Sequence, residues 1–158
     1  MSVRVETFWG NEGDKRTPYM TRINTRPDDS GLRLNIFHRG DADLHEHDHI
    51  ADFWTFPLVS YVESYTTDRG TDEEAMNWRV VRAFRLHFRR AEFAHRVLGA
   101  WGGRLHAEGR WAGYPDPGDV DVEKQIATLT WWGRRRRSWG FWVGAEWVPW
   151  RTYTGTPG

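Results

Sequence analysis

The sequence predicts an all-β domain, and three features of its 158 residues support that prediction. Sixteen glycines and seven prolines are scattered along the chain, as expected for many short elements joined by turns. Several segments alternate apolar and polar side chains with the period of two that strands have. Aromatic residues make up 15% of the chain, 11 of them Trp, which supplies enough apolar surface for a folded core.

The N-terminal third contains the clearest strand pattern. Residues 1–30 are polar and turn-rich, apart from a short segment at 18–23. Residues 31–40 then alternate, with three apolar side chains on one face (Leu32, Leu34 and Ile36) and polar side chains between them. This alternation predicts a strand whose apolar face covers the core.

Further strands are expected along the rest of the chain, at 44–49, 53–67, 78–88, 89–99, 124–133 and 138–153. Pro57 predicts an edge or a bulge, because proline cannot donate to a ladder. A Gly- and Pro-rich loop is expected at 99–121, and the single helix candidate covers 121–127. Six to nine short strands indicate an antiparallel sandwich or barrel.

The domain division expected from these patterns has three parts: a polar segment at 1–17, a β domain at 18–153 and a flexible tail at 154–158. The length fits one domain.

Twenty-two basic and 22 acidic residues give a net charge of zero, so charge does not indicate nucleic-acid binding. There is no Cys, which excludes disulfides and thiolate metal sites. With no apolar run of membrane-spanning length, we expect a soluble, cytoplasmic protein.

Three of the seven histidines fall within five positions, at His45, His47 and His49. On an extended strand these side chains face the same way, and neutral imidazoles are common ligands of transition metals. Glu46 and Asp48 would then face the opposite side, toward solvent or behind the ligands. The alternative is a solvated polar loop between two strands.

Three features favour a metal site over a polar loop. Asp52 follows at a spacing from which a carboxylate could return to the metal, and the flanking segments have strand character. A separate histidine, His95, lies at the start of another expected strand.

The arrangement of HEHDH, a carboxylate soon after it, and a single later His resembles the two-part motif of the cupin superfamily. The segments LRLNIFHRGDADLHEHDHIADFW, AEFAHRV and TLTWWGRRRRSWGFWV resemble small, largely uncharacterised single-domain cupins of phages and bacteria. The resemblance covers roughly residues 18–151. It implies a single-domain jelly-roll β-barrel that holds one metal on inward-facing side chains, and it implies no particular reaction.

The resemblance allows two registers for the ligands. The gapless match selects His47 and His49, with Asp52 three residues after the second His. The general cupin spacing selects His45, His47 and Asp52 instead. We favour His47, His49 and His95 as the metal ligands, with Asp52 and His45 as possible further members of the site.

Two or three His and at most one acid leave coordination positions open on the metal. Fe(II) is favoured on this ground, while Zn, Mn and Ni also fit such ligands. The sequence therefore predicts a metal-dependent, non-haem Fe(II)-type oxygenase that acts on a small molecule. The alternatives are a non-enzymatic module that binds a ligand or a partner, and a metal-dependent isomerase or hydrolase of a sugar-like substrate. A homodimer is also possible, with the Trp side chains left on the surface forming the contact between the two copies.

Other residues have structural explanations beside functional ones. His38 is in phase with the apolar face of its strand and so is expected inside the barrel, as a base or a satisfied core residue. His87 is expected to be structural and His106 exposed.

The run of Arg at 134–137 suits phosphate contacts or an edge that blocks aggregation. Five further side chains are candidates for binding a substrate or lining the cavity: Arg82, Arg85, Tyr61, Tyr65 and Trp54.

Overall fold

Strands dominate the computed structural model, which describes residues 3–12, 15–26, 30–41, 45–102 and 120–155. The strands are β1 Arg4–Glu12, β2 Lys15–Asn24, β3 Gly31–Phe37, β4 Glu46–His47, β5 Phe53–Pro57, β6 Tyr61–Thr67, β7 Ala75–Val81, β8 His87–Arg89, β9 Arg96–Trp101, β10 Val120–Asp121, β11 Ile126–Trp132, β12 Gly140–Val143 and β13 Glu146–Pro149. Within the described residues the one helix is α1, Trp150–Thr154. The all-β prediction is confirmed.

Three antiparallel sheets organise these strands. The largest has six strands in the order β1-β2-β3-β11-β5-β8, and the second has four in the order β10-β9-β6-β7. The third contains β13, β12 and the short strand β4. Since the neighbours are not consecutive in the chain, the sheets are built by crossovers of the kind that jelly rolls contain.

The six-stranded and four-stranded sheets pack on each other through an apolar cluster. Its members are Tyr61, Val81, Val97, Ala100 and Ile126, with Phe37 packed against them. A second cluster joins Ala51, Phe53 and Trp132, and its two rings stack 4.3 Å apart. The space between the sheets is therefore closed by apolar side chains in two separate places.

Strands β1 and β2 pair antiparallel over Arg4–Glu12 and Lys15–Asn24, where a turn-rich segment was expected from the polarity of the sequence. Charged side chains on one face satisfy each other: Glu6 accepts from Arg4 at 3.2 Å and from Asn24 at 2.8 Å. Their mutual pairing lets a polar sequence form a strand. The boundaries of the domain and of its tail stay a prediction.

Strand β3 has the opposite orientation from the one expected. Arg33 and Asn35 face the interior at 1% and 4% exposure, whereas Leu32 faces outward at 40%. His38, in phase with the leucines, lies on the outer side as well and contacts Thr21 through its Nε2 at 2.8 Å. The expectation that His38 faces the interior is wrong, because the interior of this sheet is polar.

The segment expected as a helix, 121–127, instead ends β10, turns and begins β11. Asp121 Oδ1 accepts from the backbone N–H groups of Glu123 and Lys124, which holds a turn there. The expected loop at 99–121 begins within β9, and most of it, with His106, lies outside the described residues. No helix among the described residues is long and apolar enough to span a membrane.

Candidate metal centre

His47, His49 and His95 come together between the sheets. The strand β4 segment pairs with β12 on one side, and on the other His47 forms an antiparallel bridge with His95. Both backbone hydrogen bonds of that bridge, from His47 N to His95 O and from His95 N to His47 O, measure 3.0 Å. The backbone thus fixes two residues that are 48 positions apart in the chain against each other.

One ring nitrogen from each of these three histidines lies within 4.8 Å of the others. The Nε2 atoms of His49 and His95 are 3.0 Å apart. Two nitrogens that each bind an ion at about 2.1 Å, at a right angle, are separated by about the same distance. The chemistry and spacing of these donors fit a transition metal ion.

Buried carboxylates contact the other ring nitrogen in two of the histidines. His95 Nδ1 lies 2.6 Å from Glu63 Oε2, and His47 Nδ1 lies 3.6 Å from Asp41 Oδ2. A carboxylate within hydrogen-bond distance of Nδ1, as Glu63 is at His95, keeps the proton there and leaves Nε2 free to bind metal. Neither acid was identified from the sequence. For Glu63, the sequence feature that could have identified it is a single acidic residue in a strand that begins with apolar residues.

Glu63 is fully buried and contacts two guanidinium groups besides His95. Arg79 Nε, directly opposite on β7, donates at 2.5 Å, and Arg89 Nη2 on β8 donates at 3.0 Å. The register of β6 against β9 shifts beside this residue, as a β-bulge does. Burial raises the pKa of Glu63, but His95 and the two arginines outweigh it and lower that pKa to about 2.

The imidazoles of His47 and His49 are kept neutral. Burial, then the charge of His95, and then that of Arg22 lower the pKa of His47 to about 3. Burial also lowers the pKa of His49 well below its ordinary value, with further contributions from His95 and His47. Neutral imidazole is the form that binds metal, so the electrostatics prepare these side chains for that role.

Aromatic rings surround the three histidines. His49 contacts Phe53 and Trp132, with centroids 4.7 Å and 5.6 Å away. His47 contacts Trp139 and Phe141 at 6.1 Å and 5.9 Å. These rings limit the rotation of the imidazoles and reduce their contact with water.

Polar side chains line the six-stranded sheet on its inner face. Arg22 Nε donates to Asn35 Oδ1 at 2.9 Å, and Asn35 Nδ2 donates to Thr130 Oγ1 at 3.1 Å. Trp132 Nε1 donates to the same hydroxyl at 2.8 Å, and Thr55 and Thr128 are buried at 2% and 3%. The interior beside the histidines is therefore a hydrogen-bonding surface with a positive charge at Arg22.

A cavity of about 530 Å³ opens beside Trp132. Its lining consists of Arg26, Ser30, Gly31, Trp131, Trp132, Gly133 and Arg134. Trp132 borders this cavity and also contacts His49, so it lies between the cavity and the histidines. Trp54, expected in the cavity, is 44% exposed on the outer face of the sheet, and that expectation is wrong.

The two acids between the histidines hold the segment in place and do not face solvent. Glu46 accepts from Thr66 N at 3.0 Å and from Arg69 Nη2 at 2.5 Å. Asp48 is 1% exposed and accepts from Gly140 N, Trp147 Nε1 and Arg137 Nη2 at 2.8–2.9 Å. Alternation along HEHDH thus puts the ligand candidates on one side and the anchoring acids on the other.

His45 and Asp52 lie in other hydrogen-bond networks. His45 Nδ1 is 3.0 Å from the Tyr153 hydroxyl. Asp52 Oδ1 accepts from Ala91 N at 2.8 Å and from Arg136 Nη2 at 2.6 Å. Of the two sequence registers, the structure brings together the histidines of the one that uses His47 and His49.

The arginine run at 134–137 is divided between two roles. Arg136 pairs with Asp52 and Glu92, and Arg137 pairs with the buried Asp48. Arg134 and Arg135 are exposed.

His87, as expected, is structural: its Nε2 lies 3.0 Å from the carbonyl oxygen of Arg82.

Comparison with solved structures finds cupins among the matches. Drosophila melanogaster CENP-C bound to CAL1 matches at 8% identity over 80% of each chain, with a TM-score of 0.41. The Drosophila melanogaster CENP-C cupin domain matches at 8% identity over 81% of this chain and 76% of that one, also at 0.41. The DMSP lyase DddQ from Ruegeria pomeroyi DSS-3 matches at 13% identity over 78% of this chain and 45% of that one, at 0.36.

The predicted jelly roll agrees with the antiparallel strand pairing and the crossovers described above. At TM-scores below 0.5 we take no activity, substrate or partner from these proteins. No family model matches the chain. No curated protein matches it either.

Proposed function

We propose that this chain is a metal-binding cupin-type protein whose ion, with Fe(II) favoured over Zn, Mn and Ni, is held by His47, His49 and His95. The observation that carries the proposal is the convergence of three imidazole nitrogens within 4.8 Å, with the buried Glu63 carboxylate 2.6 Å from Nδ1 of His95. His45 and Asp52 have other partners and are not needed as ligands. Three protein ligands leave positions for a substrate on the ion.

Within this proposal the protein acts on a small polar molecule as an Fe(II)-dependent oxygenase. Bound Fe(II) would supply Lewis acidity and open positions for substrate and O₂. The chain's own residues do the rest: Glu63 orients the imidazole of His95, and the surrounding rings exclude water. The positive charge of Arg22 lowers the pKa of both His47 and His49, so it acts at the site itself. The same charge favours an anionic group on the substrate.

A second candidate is a non-enzymatic module that binds a partner and keeps the metal for structure. The exposed aromatic side chains on the six-stranded sheet favour it, because surface patches of this kind mark interaction sites. The two functions differ in whether metal-loaded protein consumes O₂.

Metal content tests the proposal. Untagged protein reconstituted with Fe(II), Mn(II), Ni(II) or Zn(II) is expected to retain about one equivalent by mass spectrometry, and His47→Ala and His95→Ala are expected to lose it. His38→Ala, on the outer side of the sheet, is the matched control and should retain it. Folded wild-type protein that takes up none of these metals would overturn the proposal. If metal binds, O₂ uptake across a panel of small carboxylates and neutral analogues then separates the oxygenase from the module.

A further inference from the structure

Two aromatic rings lie between His47 and the C-terminal helix. Trp139 just before β12 and Phe141 within it are two positions apart, so they share one face of that segment. Their rings contact each other, with centroids 5.5 Å apart. Both also contact the ring of His47, at 6.1 Å and 5.9 Å. The two rings therefore form the wall of the histidine cluster on the side of His47.

Helix α1 covers this wall with a second layer of rings. Trp150 and Tyr153 are three positions apart in the helix and so lie on one of its faces. The Trp150 ring stacks on that of Trp139, with centroids 5.6 Å apart. The Tyr153 ring stacks on that of Phe141, with centroids 3.9 Å apart. From the inside outward, the order is therefore His47, the two rings of the wall, and the two rings of α1.

His45 gives the same helix a polar attachment. Its Nδ1 lies 3.0 Å from the Tyr153 hydroxyl, and its ring meets that of Tyr153 edge-on at 5.6 Å. Of the three histidines in HEHDH, His45 is the one that does not belong to the candidate metal centre. Because His45 precedes His47 by two residues, this contact links the position of α1 to the segment that carries the ligand candidates.

The helix is held less firmly than the strand beneath it. It has five residues, none of them buried, and Pro149 before it supplies no side-chain hydrogen bond as a cap. A helix this short depends on packing for its stability. Strand β12, in contrast, is paired on both sides, with β13 and β4, and Phe141 is 5% exposed. Helix α1 can therefore separate from the wall while the sheet stays intact.

We infer that α1 is a lid on the candidate metal centre and that the contact between His45 and Tyr153 is its latch. The inference rests on the proposed function, because it takes the three histidines as metal ligands. When the lid is closed, two layers of rings cover His47. When it opens, Trp139 and Phe141 lose their outer partners and can move aside, so an ion or a ligand reaches the imidazoles from this side.

Hydrogen exchange of the metal-free protein, followed by mass spectrometry, tests whether the lid opens. Amides of residues 150–155 are expected to be protected at least about 100-fold less than those of β11, because locally opening segments lose protection first. Tyr153→Ala is expected to lower the protection of 150–155 by about a further 10-fold, since it removes a stacked ring. Tyr153→Phe keeps the ring and removes the hydroxyl, and about a 3-fold loss is expected. Unchanged protection of β11 shows that each variant is folded.

The rates of metal binding test whether this opening controls access to the histidines. Stopped-flow mixing with Zn(II) gives the association rate constant, and transfer to a chromophoric chelator gives the dissociation rate constant. Tyr153→Ala is expected to raise both about 10-fold and to leave the dissociation constant within about 2-fold of wild type, because a lid changes the path and not the ligands. Thr152→Ala, at an exposed position of the same helix, is the control and should leave both rates unchanged.

The outcomes separate the lid from the proposed function. Bound metal with rate constants that Tyr153→Ala leaves unchanged overturns the lid alone. A weaker affinity with an unchanged association rate also overturns it, since Tyr153 would then support the ligands instead of covering them. Equal protection of α1 and β11 in wild type overturns it as well. Folded wild-type protein that binds no metal overturns the proposed function and the lid together.

Discussion

At the scale of single residues, Glu63 has the largest number of charged neighbours near the candidate site. Its carboxylate contacts His95, Arg79 and Arg89 while being fully buried. A buried charge is tolerated only with such partners. Because the contact to His95 is at Nδ1, Glu63 would act on the proposed metal through the orientation and basicity of that imidazole.

Replacing Glu63 by Gln is expected to lower metal affinity about 10–100-fold, the usual loss when a carboxylate behind a histidine ligand is removed. Competition with a chromophoric chelator measures the affinity. Glu92→Gln is the control, since Glu92 is 60% exposed and pairs with Arg136. Equal affinity in Glu63→Gln and wild type would contradict the positioning role, provided that the unfolding temperature shows the variant to be folded.

The neutral histidines make the metal-free protein sensitive to acid. His47 and His49 have folded pKa values below 6.5, so under pH 6.5 the unfolded chain takes up protons that the folded protein does not. The free energy of unfolding should fall as the pH decreases from 6.5 toward 3, by up to about 1.4 kcal/mol per group at pH 5.5. The low pKa of Glu63 adds a loss of the same sign below pH 4.5.

Urea unfolding of chelator-treated protein at pH 7 and pH 5.5 checks this dependence. The double variant His47→Gln with His49→Gln should show a smaller difference between the two pH values. Identical midpoints for wild type at both pH values would show that these imidazoles are not held neutral.

The histidine positions illustrate what sequence can predict at this scale. The period of two along HEHDH places His47 and His49 on one side, and any strand conformation leads to that result. The contacts of Glu46 and Asp48 could not be predicted, because their partners come from segments 20 and 92 residues away. The pairing of His45 with Tyr153 depends in the same way on where the C-terminal residues return.

At the scale of elements, the C-terminal hairpin holds the histidine segment in place. Strand β12 pairs with β4, and Asp48 binds the hairpin and the preceding arginine through three donors. Gly140 also lies where a Cβ would come within 2.3 Å of the carbonyl oxygen of Val148, so the backbones approach closely there. The hairpin therefore determines the position of His47 and His49.

Asp48→Ala is expected to destabilise the protein by about 3 kcal/mol or more, since it leaves Arg137 and two buried N–H donors without the carboxylate. Urea unfolding at pH 7 measures the loss. Glu73→Ala, at an exposed position, should change stability by less than about 0.5 kcal/mol. A loss in Asp48→Ala as small as that of the control would show that the anchor contributes little.

Strand β3 shows where element prediction fails. Its alternation correctly indicates a strand, but periodicity does not tell which face is inside. The usual assignment of leucines to the core fails here, because the polar face meets the equally polar faces of β2 and β11. That error carried His38 to the wrong side of the sheet.

At the scale of the whole molecule, the all-β class follows from composition and turn spacing, while the stacking of the sheets does not. Many short strands between glycines and prolines have few alternatives to a sandwich or barrel. The order β1-β2-β3-β11-β5-β8 depends on contacts between distant segments. The cupin resemblance supplied the histidine set that composition alone could not.

Trp131, Trp54 and Phe88, which lie exposed side by side on the six-stranded sheet, have a thermodynamic consequence. Burial of apolar surface has a negative heat capacity change, and its driving force weakens on cooling. Any contact that covers these three rings is therefore expected to weaken in the cold and to strengthen when sulfate is added.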